Sequence, residues 1–170
     1  MKTKILSILI IMFMFLELSA QTKTVEVSFS YLKQRGFSSN QFAVWVEDTN
    51  GVLVKTLYAT AFTAKGGWKK REASLPEWVK KAGLASKPEI DGVTGATPSA
   101  GSLTYEWDFS GGKAGDYFIC IEATLRSEKR VIYRAKINTA KAASVRPEPV
   151  YFGDDSKERS MISNVVITVK

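Results

Sequence analysis

The sequence predicts an all-β fold, an immunoglobulin-like antiparallel β-sandwich that carries a long loop-and-short-helix insertion. Three observations support this prediction. Apolar and polar residues alternate with a period of two in seven segments, turn residues separate most of these segments at short intervals, and helical periodicity is scarce. An up-and-down β-barrel is the alternative fold for the same pattern.

The first three predicted strands lie in the amino-terminal half of the chain. In TVEVSFSYL (24–32) every second residue is apolar, which predicts a strand with one buried face. QFAVWVED (41–48) and VLVKTLYAT (52–60) flank the pair Asn50-Gly51. Because both residues of this pair tolerate positive φ, we predict a β-hairpin.

Four further strands are predicted at 102–109, 117–125, 130–138 and 163–170, and the polar stretch 141–160 is expected to be an extended excursion. Tyr117 stands at a strand entrance, where its hydroxyl is expected to bond back to the corner backbone. The strand positions predicted to be buried are Val25, Val27, Phe29, Val44, Val46, Ile119 and Ile121.

The β pattern is interrupted at about 62–102, and we interpret this part of the chain as an insertion into a single domain. Within it, SLPEWVKKAG predicts a short helix. Ser74 is the expected N-cap, Glu77 three residues later would complete a capping box, and Gly83 would end the helix. Long insertions in small β-domains are often functional.

Residues 1–20 have the features of a signal peptide. Two lysines precede a 12-residue apolar run at 5–16, and Ala20 supplies the small residue at the expected cleavage site. A membrane anchor is the alternative, although a bilayer span needs about 20 apolar residues. We therefore expect residues 21–170 to form one exported, periplasmic domain that does not span the membrane after cleavage.

The composition excludes several kinds of chemistry. The chain has no histidine and a single cysteine, Cys120, so Ser-His and Cys-His nucleophile pairs, histidine-bearing metal sites and internal disulfides are absent. The net charge of +7 is spread along the sequence, and for an exported protein we expect no nucleic-acid partner. We expect Cys120 to be a small buried apolar residue.

A run of small residues, DGVTGATPSAG (91–101), lies in the insertion and is typical of a loop. Its first seven residues resemble the flavinylation motif D-x-x-[ST]-G-A-[ST] of subunits of the sodium-pumping quinone reductase and the related Rnf complex. In those proteins an exported flavin transferase transfers FMN from FAD to the last hydroxyl residue. The resemblance implies the same covalent cofactor, FMN, in this chain.

Each motif position has a counterpart in this sequence. The resemblance implies that Thr97 is the FMN acceptor, in an exposed, sterically thin loop. Gly95 and Ala96 are then the small neighbours that let the transferase approach, Thr94 is the first hydroxyl position, and Asp91 is the leading acid. Attack on a pyrophosphate also needs a base and a divalent metal, which the transferase is expected to supply.

The aromatic residues Trp68, Trp78 and Trp107 flank the same region. They are candidates for stacking on the flavin, and basic residues 69–71 are candidates for neutralising its phosphodiester. The alternatives are that Trp78 anchors the short helix to the sandwich and that residues 69–71 form a solvated run. For Trp45, on a predicted strand, we expect core or cross-strand packing.

The mature chain as a whole resembles a domain-of-unknown-function family of predicted periplasmic proteins, in the segments QFAVWVED, FTAKGGWKKR, SLPEWV and LTYEWD. This resemblance implies no activity. Together the two resemblances favour an exported flavin-carrying electron-transfer module, a carrier rather than an enzyme, with a flavin transferase and a membrane or periplasmic redox protein as partners. The alternative is a cofactor-free immunoglobulin-like binding or structural module.

Overall fold

The computed structural model describes residues 23–36, 40–86, 92–125, 129–153 and 161–170. In these ranges the chain forms two β-sheets that pack face to face around an apolar core, so the predicted all-β sandwich is confirmed. Within the same ranges no strand of one sheet pairs with a strand of the other. The structure is therefore a sandwich and not the alternative closed barrel.

Ten strands and two short helices are described in these ranges. The strands are β1 Thr24–Tyr31, β2 Gln41–Glu47, β3 Leu53–Thr60, β4 Gly92–Gly95, β5 Gly101–Asp108, β6 Asp116–Thr124, β7 Arg130–Asn138, β8 Ala143–Val145, β9 Pro149–Phe152 and β10 Ile162–Val169. The helices are α1 Ala61–Ala64 and α2 Pro76–Lys81, with a 3₁₀ turn at Gly67–Lys69 between them.

The smaller sheet has the strand order β5-β1-β10-β8, and the larger sheet has the order β4-β3-β2-β6-β7-β9. The predicted pairings of β2 with β3 and of β6 with β7 are confirmed, and both are antiparallel. Gly51 adopts a φ of 75° in the β2–β3 turn, as expected. Strand β4 departs from the predicted antiparallel pattern because it runs parallel to β3.

The main core lies between the two sheets and is built from their alternating inward positions. All seven positions predicted to be buried belong to it, and none of them is more than 3% exposed. The Tyr117 hydroxyl donates a hydrogen bond of 2.7 Å to the Lys113 carbonyl, which confirms the predicted corner geometry. The period-two pattern thus identified the correct faces of these strands.

A second core lies on the outer face of the larger sheet, beneath the insertion. Trp45 and Cys120 project from the sheet, and Leu75 and Trp78 pack onto them from the insertion. The Trp78 indole N–H donates to the Thr56 hydroxyl at 3.1 Å. Both faces of β2 are consequently buried, and the predicted core positions of Trp45, Trp78 and Cys120 are confirmed.

Helix α2 begins differently from the predicted capping box. Leu75 occupies the N-cap position with a left-handed backbone (φ 53°) and no side-chain capping bond is present. The hydroxyl of Ser74 is instead 2.7 Å from the Thr63 hydroxyl, in a buried pair that joins α2 to α1. The predicted end of the helix is correct, because Gly83 follows it with a φ of 64°.

The first backbone N–H groups of α2 are bound by a distant side chain. Glu77 N and Trp78 N donate to the Glu122 carboxylate of β6 at 3.3 and 2.9 Å. The Glu122 side chain is fully buried, and Arg130 Nε lies 3.7 Å from it. Burial raises the pKa of the Glu122 carboxyl to about 7, although both N–H donors and Arg130 favour the charged form.

Three short strands were not predicted. Strand β4 forms within the stretch expected to be a loop, whereas β8 and β9 form within the expected excursion at 141–160 and pair with β10 and β7. The excursion therefore contributes an edge strand to each sheet. Such short edge segments carry little alternation, because only a few residues of each face the core.

The predicted signal peptide at 1–20 lies outside the described residues. Among the residues that are described, no helix combines the length and the apolar character that crossing a bilayer requires.

Candidate functional site

The GAT segment, residues 92–100, crosses from one sheet to the other. Its first part is β4, the edge strand of the larger sheet, and its last residue precedes β5, the edge strand of the smaller sheet. The segment therefore runs across one open side of the sandwich. Asp91, the expected leading acid of the motif, lies outside the described residues.

The two glycines of β4 allow a close approach to β3. A Cβ atom on Gly92 would lie 2.5 Å from the Thr56 carbonyl oxygen, and one on Gly95 would lie 3.2 Å from the Tyr58 ring. Any larger residue at Gly92 would displace backbone, because the obstructing atom belongs to the neighbouring strand. The sequence suggested that the small residues of the motif let a transferase approach. In the structure Gly92 and Gly95 also allow β4 to pack closely against β3.

Thr97 is held in place by its side chain. It is half-buried, and its hydroxyl donates a hydrogen bond of 3.1 Å to the carbonyl of Asn40. The Asn40 side chain is itself fixed, since it accepts from Gln34 N at 2.7 Å and donates to Gln34 O at 3.1 Å. The sequence predicted that this hydroxyl lies in an exposed loop. In the structure Thr97 is half-buried, and the bond to Asn40 fixes the orientation of its hydroxyl.

The residues next to Thr97 are exposed, and a second hydrogen bond holds their backbone in place. The Tyr58 hydroxyl donates to the Ala96 carbonyl at 2.7 Å. Thr94 and Ala96 are exposed, and Val93 is 65% exposed despite its apolar side chain. The structure therefore brings Thr94, Gly95, Ala96 and Thr97 together on one accessible edge that two hydrogen bonds fix from below.

An aromatic cluster lies beneath the GAT segment. The Tyr58 ring is 4.9 Å from the Tyr105 ring and 5.1 Å from the Phe42 ring, and Phe42 is 5.2 Å from Tyr31. Burial is the main cause that raises the pKa of Tyr31 to about 12, and it also raises the pKa values of Tyr58 and Tyr105. These phenols stay protonated at neutral pH, so their hydroxyls are able to donate hydrogen bonds.

The Tyr31 hydroxyl has no hydrogen-bond partner among the described residues, and the side chain is only 2% exposed. A buried hydroxyl without a partner costs about 1–3 kcal/mol. This group was not identified from the sequence, because the period-two pattern of 24–32 predicts which residues face the core and not whether a hydroxyl among them finds a partner.

The tryptophans proposed from the sequence to stack on a flavin occupy different places. Trp78 is fully buried in the second core, and Trp107 packs between Phe109 and Tyr117 with ring distances of 5.3 and 5.0 Å. Neither ring is available at the surface. Of the three tryptophans, only Trp68 remains partly exposed.

Trp68 borders a basic cavity on the outer side of the insertion. A cavity of about 190 Å³ there is lined by Ala64, Lys65, Gly66, Trp68, Lys69 and Leu84. A neighbouring cavity of about 370 Å³ shares Lys65 and adds Phe62 and Lys70 to its walls. Helix α1, which begins this region, directly follows β3 and lies against β4. Ala64, Leu84 and Trp68 belong to the second core on the outer face of the larger sheet, whereas Phe42 and Tyr58 belong to the main core. The basic cavity and the aromatic cluster therefore lie on opposite faces of this sheet.

Two further polar groups are buried in the fold. Glu47 accepts from the Trp45 indole at 2.9 Å and forms ion pairs with Lys81 at 3.3 Å and Arg134 at 3.1 Å. Burial raises the pKa of the Cys120 thiol to about 12, which is typical of an inert structural cysteine. In the described ranges, no three acidic or cysteine side chains are grouped as a metal site requires.

Comparison with known families gives a match over most of the chain. A family model described as "Predicted periplasmic protein (DUF2271)" matches residues 22–149. The chain belongs to the DUF2271 family. The matched range of this DUF2271 protein includes the whole GAT segment, the aromatic cluster and the insertion, and the expected periplasmic location agrees with the family's description.

No curated protein matches the DUF2271 chain, and no solved structure matches it.

Proposed function

We propose that this DUF2271 protein is an exported flavin-carrying electron-transfer module, in which a flavin transferase attaches FMN covalently to Thr97. The observation that carries the proposal is the position of the D-x-x-T-G-A-T sequence. Its hydroxyl residue lies on an accessible edge of the sandwich and has a hydrogen-bonded, defined orientation.

The geometry of Thr97 suits an acceptor hydroxyl. Because Oγ1 is the donor in its bond to the Asn40 carbonyl, the oxygen lone pairs are not used by that bond. In the proposed transfer a bond forms between Thr97 Oγ1 and the phosphorus of the FMN half of FAD. The pyrophosphate bond breaks, AMP leaves, and the hydroxyl proton passes to a base of the transferase.

The residues next to Thr97 hold its backbone in place and leave room for the transferase. The Tyr58–Ala96 bond holds the backbone next to the acceptor, while exposed Thr94 and Ala96 leave room for another protein. The chain has no histidine, so we assign the base and the metal ion to the transferase. Once attached, FMN supplies reversible redox chemistry that the side chains of this protein lack.

The test is co-expression of the full chain with an exported flavin transferase, followed by intact-mass measurement. We expect a mass increase of one FMN minus one water. Trypsin does not cut between Lys87 and Pro88, so the adduct should map to peptide 82–113. Fragment ions must place it on Thr97, because this peptide also contains Thr94 and Thr104.

Variants locate the acceptor. Thr97→Ala should abolish the adduct, Thr97→Ser should retain it in part because the attacking oxygen remains, and Thr94→Ala should reduce it less than Thr97→Ala does. Thr104→Ala, an exposed threonine of β5 outside the motif, is the matched control and should label fully. An unmodified mass, obtained with a transferase that labels another acceptor under the same conditions, contradicts the proposal.

Thr97→Ala must also remain folded for this test to be informative. Loss of the bond to Asn40 should cost about 1 kcal/mol, more than expected for a fully exposed loop residue but small for a folded domain. A cofactor-free binding or structural module is the alternative function. Native protein purified from its source without yellow colour would favour that alternative.

A further inference from the structure

A concentration of positive charge lies on the outer side of the insertion, directly after β3. Residues 61–71 contain four basic residues and no acidic one. Lys65, Lys69 and Lys70 are exposed, and they line the two cavities that share Lys65. Among the described residues, none of these three lysines forms an ion pair. Three positive charges are therefore close together and are not neutralised by a neighbouring carboxylate of this part of the chain.

Exposed apolar side chains lie beside these charges. Phe62 of α1 lines the larger cavity and is 39% exposed. Val93 of β4, the strand against which α1 lies, is 65% exposed. Exposed apolar groups surrounded by charged side chains are typical of a surface that binds another protein. We call the surface formed by Phe62, Lys65, Lys69, Lys70 and Val93 the basic surface.

Hydrogen bonds connect the basic surface to the acceptor residue. The side-chain oxygen of Gln41 accepts from the Thr63 hydroxyl of α1 at 3.0 Å. Gln41 follows Asn40, whose carbonyl accepts from the Thr97 hydroxyl at 3.1 Å. Helix α1 and Thr97 are thus bound to two consecutive residues at the start of β2. A protein that covers the basic surface is therefore placed next to the acceptor.

The exposure of the lysines indicates the class of partner. A small anion bound to them would stay in contact with water, and each exposed ion pair would contribute only about 0–1 kcal/mol. An acidic protein surface faces all three charges at once and also covers the exposed apolar groups. Complementary charges of this kind speed the encounter of two proteins and orient them, even where each pair adds little affinity.

We propose that the basic surface is the place where the flavin transferase docks, through an acidic face of its own. This inference rests on the proposed function, because it needs a transferase that modifies Thr97. The lysines attract the acidic partner from a distance and turn its active site toward Thr97. They take no part in the transfer of FMN, so they act on the association of the two proteins and not on the chemical step.

The experiment measures initial labelling rates of the full chain by intact mass, with limiting transferase, saturating FAD and several acceptor concentrations. The triple variant Lys65→Glu, Lys69→Glu, Lys70→Glu should raise KM for the acceptor about tenfold at low salt and leave kcat nearly unchanged, because steering acts on association. The Debye length is about 30 Å at about 0.01 M salt and about 3 Å at about 1 M. The difference in KM should therefore largely disappear at high salt.

The matched control makes the same change of charge at the other end of the sandwich. Its three positions are exposed lysines near the turn that follows β5 and near the end of β7, remote from the GAT segment, and the control variant is Lys23→Glu, Lys113→Glu, Lys141→Glu. It should change KM much less than the first triple variant does. Glutamine at positions 65, 69 and 70 should give an intermediate KM, and it keeps the test informative if the glutamates destabilise the fold.

The apolar part of the basic surface is tested separately. Val93→Thr keeps the shape of the side chain but replaces a methyl group with a hydroxyl, so it should raise KM at both low and high salt. Val150→Thr makes the same change at a residue of β9 that is 55% exposed, on the other edge of the larger sheet, and should leave KM unchanged.

The outcomes distinguish this inference from the proposed function. Absence of the adduct from the unsubstituted chain refutes both. An adduct whose KM responds equally to the two triple glutamate variants, or to neither, refutes the docking surface alone, as does a change confined to kcat. Unchanged KM, together with binding to vesicles of an anionic phospholipid that only the variant at 65, 69 and 70 loses, would assign the basic surface to a membrane instead.

Discussion

Replacing Glu122 with glutamine tests whether a buried carboxyl makes the stability of this fold depend on pH. The Glu122 side chain is fully buried, and burial raises its pKa from 4.5 to about 7. In the unfolded chain the same group titrates near its ordinary value. Between pH 4.5 and about pH 7 the folded state therefore keeps Glu122 protonated, whereas the unfolded state releases this proton.

The sign and the magnitude follow from this difference. A pKa that is raised in the folded state stabilises the fold fully below pH 4.5, and the contribution is lost as the pH rises through about 7. Each pKa unit corresponds to about 1.4 kcal/mol, so the loss should be about 3 kcal/mol. Glutamine cannot ionise, and the Glu122→Gln variant should lack this component.

The assay is urea unfolding followed by tryptophan fluorescence at several pH values from 4.5 to 8, since Trp78 is a buried residue of helix α2 and its backbone N–H donates to Glu122. The unfolding free energy of the unsubstituted protein minus that of Glu122→Gln should fall by about 3 kcal/mol across this range. Glu122→Gln should also lower the unfolding free energy by an amount that does not change with pH. The side-chain amide has one acceptor oxygen, whereas the two oxygens of the carboxylate accept from Glu77 N and Trp78 N.

Glu106→Gln removes an exposed carboxylate from β5 and controls for the change in net charge. Its difference from the unsubstituted protein should stay nearly constant with pH. If the Glu122→Gln difference is equally constant, the two backbone donors and Arg130 compensate for burial, and the reasoning is wrong.

Three other predictions concern stability and reactivity. The Cys120 thiol, whose pKa is about 12, should resist a thiol reagent at pH 8 and react once urea unfolds the protein; labelling of the native state would contradict its burial. Tyr31→Phe should raise the unfolding free energy of the unmodified protein by about 1 kcal/mol, since it removes an unpartnered hydroxyl. Gly92→Ala should separate β4 from β3, because the new methyl would meet the Thr56 carbonyl. Faster amide hydrogen exchange at 93–95 would confirm that effect, and unchanged exchange would refute it.

Much of the sandwich is predictable because its strands have one face in the core and one outside it. Val25, Val27 and Phe29 alternate with polar residues, and β1 indeed buries alternate positions. Strand β2 shows where this signal weakens, since every one of its residues is buried. Its second face, which carries Trp45, is covered by the insertion.

The start of helix α2 could not be predicted from local sequence. Ser74 followed by Glu77 has the spacing of a capping box, but the side chain that accepts the first N–H groups is Glu122, which is remote in sequence. Strand β4 is a similar case. Its sequence GVTG has no alternating pattern, and it is a strand because its glycines fit closely against β3.

In the candidate site, too, some residues are recognisable from a single stretch of sequence, whereas the residues that contact them are remote in sequence. The motif identified Thr94, Gly95, Ala96 and Thr97 from a single stretch of sequence. The groups that orient them are the carbonyl of Asn40, just before β2, and the hydroxyl of Tyr58 on β3, and neither is close to the motif in sequence. Tyr105, whose ring packs against Tyr58 in the aromatic cluster, comes from the opposite sheet.

The tethering of Thr97 has a consequence for the proposed transfer. Phosphoester formation removes the hydroxyl hydrogen, so the bond to the Asn40 carbonyl must be lost when FMN is attached. This loss costs about 1 kcal/mol, which is small beside the cost of ordering a mobile loop at about 1–2 kcal/mol for each residue. The Tyr58–Ala96 bond involves only the backbone carbonyl of Ala96 and persists in the product.

Tyr58→Phe should therefore slow labelling of Thr97 by disordering the segment. Asn40→Ala leaves the accepting carbonyl in place and should slow labelling only through loss of the Gln34 contacts. Labelling rates measured by intact mass at limiting transferase would distinguish the two, and equal rates for Tyr58→Phe and the unsubstituted protein would show that preorganisation of this segment does not contribute.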